Sequence, residues 1–392
     1  MQSFTYCSPT DIVFGKGAEE NLSRMVQKHG GKRVFLVYGG ESAIKTGLLS
    51  RLERNLTENG MAFYAMGGVQ PNPRVSLARR MTREAISFKV DFIVGAGGGS
   101  VLDTAKAVAH GVANPTIDIW DFWTGRAKLE HSLPIGAIPT MPAAGSETSD
   151  SAVLTNEEMG LKLGLSSFFN RPTFALMNPE LAYTLPPYQL SCGLADILMH
   201  TLERYMSVVD GNHLTDLFAE SLMKDVIAAA KVLKDKPQDY DAMSEAAWCA
   251  SVSHTDFTGL GRPKDFSVHK LSFSLSADYD IAHGAALTAL WGSWAHFVQK
   301  KVPHRFTRFA DTVWEVHEGS EEERGALGIH RAEEFFRFLG LPTSMRELGI
   351  SLQETDLARM ANEVTKQGKV QIGTFYPLDR DLVLEVYRRA NR

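Results

Sequence analysis

The chain has 392 residues, with 41 Lys and Arg against 46 Asp and Glu, a formal net charge of −5, and 44% apolar residues. This balance is ordinary for a folded globular protein, and at about 150 residues per domain the length predicts two domains. Mild acidity without a dense Lys/Arg block excludes a partner bound by phosphate neutralisation, so no nucleic acid is expected.

At the amino end, Met1–Tyr6 carry no basic stretch ahead of an apolar core, and no secretory signal is expected there. Four short apolar runs then read as buried strands: 33–38, 91–96, 133–139 and 173–177. The first two end in glycines, Gly39-Gly40 and Gly97-Gly98-Gly99, and helical patterns at 51–59 and 75–88 lie between them. Strands alternating with helices predict a largely parallel sheet covered on both faces. Beyond Leu185-Pro186-Pro187 the pattern changes to long Ala/Leu/Met-rich helical stretches, including 187–235, 241–257 and 289–299. Ser344–Glu347 and Ser351–Glu354 have the capping-box spacing of helix starts. The expected fold is therefore α/β followed by all-α, with an N-terminal domain at 1–186 and a helical domain at 187–392. Ile281 to Val298 lacks Asp, Glu, Lys and Arg over 18 residues, the lower limit for a membrane span. His283, Gly284, Gly292 and His296 within it favour a buried helix of a non-membrane protein.

Three segments suit a ligand. Gly97-Gly98-Gly99-Ser100 joins a strand to a helix, where backbone N–H groups and the helix dipole favour an anion. It is neither a P-loop nor a complete G-x-G-x-x-G, and such turns also occur without a ligand. Gly39-Gly40-Glu41 follows the earlier strand. A carboxylate there can accept from ribose hydroxyls and repel a 2′-phosphate, although taken alone Glu41 is more simply a solvated turn residue. Residues 139–148 are small, polar and proline-punctuated, as a loop lining a ligand would be.

Asp196 and His200 are spaced i, i+4 and project from one helix face. His269 and His283 follow at a separation that proves nothing by itself. Three histidines and a carboxylate suit Fe²⁺ or Zn²⁺, a plausible use of imidazole in a chain whose three cysteines cannot all pair and which is expected in a reducing, cytoplasmic setting. His213, His254 and His296 read as core or surface residues. For His213, Asp210 and Asp216 at a spacing of three suggest a polar helix surface.

Together these residues resemble the iron-containing alcohol dehydrogenases, in the branch of the butanol dehydrogenases and broad aldehyde reductases. The resemblance runs through Phe14-Gly15-Lys16-Gly17, Tyr38-Gly39-Gly40, Pro71-Asn72-Pro73, Gly97–Ser100 with Asp103 and Lys106, Gly145-Ser146-Glu147, Asn178-Pro179-Glu180-Leu181 and the Asp196/His200 pair with the two later histidines. It implies a Rossmann-like dinucleotide-binding domain before an all-helical metal-binding domain, the dehydroquinate synthase-like fold, in a homodimer. It places Asp196, His200, His269 and His283 as metal ligands and Gly97, Gly98, Gly99 and Ser100 at the pyrophosphate, with Asp103 behind them. Thr140, Ser146, Lys162 and Leu181 fall toward the nicotinamide, and Gly39, Gly40, Glu41 and Asn72 around the adenosine.

The implied reaction interconverts a primary alcohol and an aldehyde by hydride transfer with NAD(H), a divalent metal acting as Lewis acid. Glu41 favours NAD over NADP, which stays open as a cofactor. Phe273 stands where most members carry another histidine, and Ala144 replaces a common threonine. Phe257, Phe273 and Trp120 are candidates for an apolar substrate pocket. Two alternatives remain at this point: a glycerol-type polyol dehydrogenase of the same fold, and an NAD-binding protein whose catalysis is altered by Phe273.

Overall fold

Strands buried on both faces must be apolar at successive positions, and β2 (Arg33–Tyr38) and β4 (Phe92–Gly97) are. The computed structural model, which describes residues 1–209 and 211–392, pairs them with Val34 opposite Phe92 and Val37 opposite Gly95. With β1 (Asp11–Phe14), β3 (Ala62–Met66), β5 (Ile135–Pro139) and β8 (Phe174–Met177) they form one six-stranded sheet. The order is β1-β8-β5-β4-β2-β3, and every pair is parallel. Successive side chains take opposite faces. Val34 and Leu36 pack with Leu22, Leu52 and Leu56, while Phe35 and Val37 pack with Met81, Ala85, Ala105 and Val108.

This sheet belongs to a first compact unit, Cys7–Leu185 with Gln238–Thr255. The helix Tyr240–His254 groups here although it lies in the helix-rich half of the sequence. An antiparallel hairpin, β6 (Ser151–Asn156) and β7 (Leu161–Ser166), adds a small second sheet that the strand pattern did not announce. Trp120 is 1% exposed and packs with Ile119, Trp123 and Leu154. It is core, not pocket.

The sheet order locates a crevice. From β2 the chain moves outward to β3, then returns to β4 and continues the other way to β5 and β8. The connections after neighbouring β2 and β4 thus diverge, and the carboxyl ends of such strands are where open α/β sheets bind ligands.

The second unit comprises Met1–Tyr6, Pro186–Pro237 and Asp256–Arg392. Among its described residues the regular structure is helical, apart from an isolated bridge between Ile372 and Leu378. The uncharged stretch forms the helix His283–Gln299, whose Trp291 and Trp294 are fully buried. No described helix is long and apolar enough to cross a membrane. Ser344–Glu347 forms a turn and starts no helix, although Ser344 Oγ accepts from the Glu347 N–H at 3.2 Å. The later helix begins at Glu354, capped by Gln353 and Asp356. Asp216, expected on a polar surface, is buried and bonded to Arg262 and Arg305, whereas His213 is exposed. Asp210 lies outside the described residues.

Candidate metal centre and dinucleotide site

The helix Pro187–Tyr205 is buried from Leu190 onward, so Asp196 and His200 point inward from consecutive turns. His269 lies in the first turn of the helix Ser267–Tyr279, and His283 opens the next helix. Gly284 permits that approach, because a Cβ there would run into the backbone of Cys192.

One ligand atom from each of the four residues lies within 4.8 Å of the others. The Asp196 Oδ1 atom is 3.4 Å from His200 Nε2 and 3.8 Å from both His269 Nε2 and His283 Nε2. The Nε2 atoms of His200 and His269 are 3.2 Å apart. Metal–ligand bonds of about 2.0–2.2 Å in a tetrahedron separate ligand atoms by about 3.3–3.6 Å, so one ion fits this set. Oδ1 of Asp196 is buried and meets no hydrogen-bond donor. A carboxylate oxygen in that state calls for a cation.

Behind the cluster stands Glu203, fully buried. Its carboxylate accepts from the N–H groups of Val268 at 2.6 Å and His269 at 3.3 Å, and it also bonds His269 Nδ1. Glu203 therefore caps an uncapped helix end and turns His269 Nε2 toward the other ligands. Burial lowers the His269 pKa, but the Glu203 and Asp196 carboxylates outweigh it and raise the value to about 9. The centre is built to hold positive charge. Arg204 contacts His200 Nδ1 at 3.2 Å and stacks its guanidinium 4.8 Å from the Phe266 ring, which packs on His200 and His269.

In the first unit, Gly98 precedes the helix Gly99–Ala113, whose first turn has no side-chain cap. Its N–H groups and dipole make an anion site. Gly97 must be glycine, since a Cβ would collide with Val101. The Thr140 N–H donates to Gly97 O at 3.1 Å, placing the end of β5 beside this turn.

Asp103 holds the neighbouring loop. It accepts from Ser146 Oγ at 2.7 Å and from the Val153 N–H at 2.9 Å, while burial pushes its carboxyl pKa up. Lys106, buried behind it, donates to Ser151 O at 2.8 Å, and burial lowers its pKa to about 8. Lys162 and Asn72, both buried, are joined by a 2.9 Å hydrogen bond. The hairpin makes that pair possible. Lys162 lies opposite Thr155, whose N–H donates to Pro73 O at 2.7 Å. Glu41 is exposed beyond β2 and pairs with Lys45, with Gly39 and Gly40 before it. Leu181 is half-buried against the core of this unit.

Family models then match both halves of the chain: iron-containing alcohol dehydrogenase over residues 9–179, and the C-terminal domain of the Fe-containing alcohol dehydrogenase family over residues 191–391. The chain belongs to the iron-containing alcohol dehydrogenase family. It is 34% identical to NADH-dependent butanol dehydrogenase A of Clostridium acetobutylicum, with both chains covered in full. It is 31% identical to the NADPH-dependent aldehyde reductase YqhD of Escherichia coli, again over the whole of both. A crystal structure of NADH-dependent butanol dehydrogenase A from Thermotoga maritima superposes with a TM-score of 0.96 at 32% identity, covering 100% of this chain and 99% of that one.

Within this iron-containing alcohol dehydrogenase, the residues expected around substrate are separated. Phe273 is half-buried one turn after His269 on the same helix. Phe257 instead packs against Phe218 and Tyr6, with ring centroids at 4.6 and 5.7 Å. An aromatic ring packed on His200 and His269 is Phe266, which sequence reasoning passed over, as it did Glu203. Glu203 was within reach of helix arithmetic, being three residues after His200 and seven after Asp196. Phe266 was not, because its left-handed backbone (φ 53°) breaks any periodicity.

Proposed function

We propose that the chain interconverts a primary alcohol and its aldehyde using NAD(H) and one divalent ion, Fe²⁺ or Zn²⁺. The carrying observation is the convergence of Asp196, His200, His269 and His283 on one point, with Asp196 Oδ1 buried and unmatched. When bound, the ion supplies Lewis acidity toward the alcohol or carbonyl oxygen, and the nicotinamide supplies the hydride acceptor or donor.

The protein's own residues do the rest. The four ligands hold the ion, and Glu203 orients His269. The first-turn N–H groups after Gly97–Gly99 take the pyrophosphate, with Ser100 beside them and Asp103 tethering the facing loop through Ser146. Glu41 accepts from the adenosine ribose and disfavours a 2′-phosphate, giving NAD preference. Gly39 and Gly40 lie toward the adenosine, Thr140 and Leu181 toward the nicotinamide, and the hydrogen-bonded pair Asn72–Lys162 along the stretch that joins them. Phe273 and Phe266, on the helix that carries His269 and at its start, favour an aliphatic or aromatic substrate over a polyol, whereas Phe257 packs against Phe218 and Tyr6. In this reading residues 1–186 carry the dinucleotide and 187–392 the metal and substrate. A homodimer rests on family kinship alone, and a cytoplasmic location on three free cysteines.

The test is NADH oxidation by the Fe²⁺- or Zn²⁺-loaded protein against butanal, benzaldehyde and dihydroxyacetone. Turnover of the first two is expected, with loss of metal and activity in His269→Ala. Preference for dihydroxyacetone would assign a polyol dehydrogenase. Silence throughout with tight NADH binding would remove the catalytic reading.

A further inference from the structure

Residues 141–144 form a wall facing the glycine turn. A Cβ on Gly98 would meet the Met141 side chain at 3.9 Å, and one on Gly99 would meet the Ala144 methyl at 3.9 Å. What fixes this wall fixes the width of the slot. From one side, Asp103 holds it through Ser146. From the other, the last turn of the helix Tyr240–His254 meets the loop at four places, three of them at Gly145, Glu147 and Thr148 just beyond the wall and one within it. Ser251 Oγ donates to Glu147 at 2.5 Å, and Thr148 Oγ1 donates to Ser251 O at 3.0 Å. Gly145, at φ 62°, passes so close that a Cβ would run into Ala250 O. The fourth contact is between His254 Nδ1 and the Ala144 carbonyl.

We propose that His254 is a positioning residue for the dinucleotide, its imidazole setting the gap between Ala144 and Gly99. This rests on the reading that the glycine turn takes the pyrophosphate. A carbonyl oxygen only accepts, so Nδ1 carries the donated proton. Ala144 offers no polar side chain, leaving its backbone as the one handle by which this part of the wall can be held. His254 is 8% exposed, so the bond is shielded from competing water and its loss leaves the carbonyl without that donor.

The experiment titrates NADH into the metal-loaded protein by nicotinamide fluorescence, for wild type, His254→Leu and His254→Asn. Leucine keeps bulk and removes the donor; asparagine restores an N–H near the place of Nδ1. His254→Leu should weaken NADH binding about tenfold, the size expected for a buried carbonyl deprived of its donor, and His254→Asn should return it to within about twofold of wild type. Metal affinity, measured by chelator competition, should be unchanged in both. Wild-type NADH affinity in His254→Leu, equal weakening in both variants, or a parallel fall in metal affinity would overturn the proposal. Failure of the wild type itself to bind NADH would instead overturn the reading of the turn.

Discussion

Replacing Glu203 with Gln removes one buried charge while keeping the side chain's shape. The carboxylate serves three donors: the N–H groups of Val268 and His269 and the Nδ1 of His269. A Gln side chain has one acceptor oxygen, and its amide N–H₂ would face donors on the other side. Placed at the imidazole, that oxygen leaves the Val268 N–H facing an amide donor; placed at Val268, it leaves His269 Nδ1 without its partner, and in both cases the imidazole loses the carboxylate charge and part of its basicity. Changes of this kind behind a metal ligand cost about 10–100-fold in metal affinity, or about 1.4–2.7 kcal/mol. The measurement is competition between protein and a chromogenic chelator for Zn²⁺, paired with the visible spectrum of the Co²⁺ form, which reports ligand geometry. His269→Ala provides the reference for outright ligand loss. A Zn²⁺ affinity for Glu203→Gln within twofold of wild type, with an unchanged Co²⁺ spectrum, would refute the orienting role.

Other consequences follow from burial and close approach. Burial drives the His110 pKa from 6.5 down to about 4, with Nε2 at 2.8 Å from Asn170 Oδ1 and Nδ1 at 2.8 Å from Ser132 Oγ. The folded value lies below the unfolded one, so this stability is fully present above pH 6.5 and is lost as pH falls from 6.5 toward 4. The difference is about 3 kcal/mol, and urea unfolding across that window should show a steep loss that His110→Gln lacks. Gly284→Ala should force the start of its helix away from Cys192, costing about 1–3 kcal/mol and lowering metal content after dialysis, since His283 is the adjacent residue. Full Zn²⁺ retention there would show that His283 does not depend on the close approach. Glu41→Ala should shift the ratio of KM values toward NADPH by about tenfold, because one carboxylate no longer opposes the 2′-phosphate; an unchanged ratio would remove Glu41 from cofactor choice.

What could be read beforehand follows from the range of each interaction. β2 and β4 are legible because a strand covered on both faces writes its burial into consecutive residues, and the glycines beyond them mark where backbone must approach a ligand. β3 was passed over although residues 61–66 are an unbroken apolar run; its edge position leaves Ala62 and Tyr64 exposed in the structure. The β6–β7 hairpin carries a signal that went unused: Gly160 at φ 62° in its turn, followed by alternating leucines at 161, 163 and 165. Asp196 and His200 share a helix face, so their spacing is informative. His269 and His283 join them only because two helices reverse across residues 280–282, which no spacing encodes; the family resemblance supplied them.

His254 shows the same limit from the other side. Its partner lies 110 residues away and is a backbone carbonyl, the same group on every residue, so no side-chain pattern could name it. A histidine judged by its neighbours in sequence then reads as core, and in burial it is. Its chemistry becomes visible only when the helix bearing it is found with the sheet, against a loop whose Ala144 methyl faces the glycine turn. Residues that bind an ion must themselves be particular residue types, and so leave a trace in the sequence. Residues that hold backbone in place need only the right donor at the right point, and the fold decides where that point is.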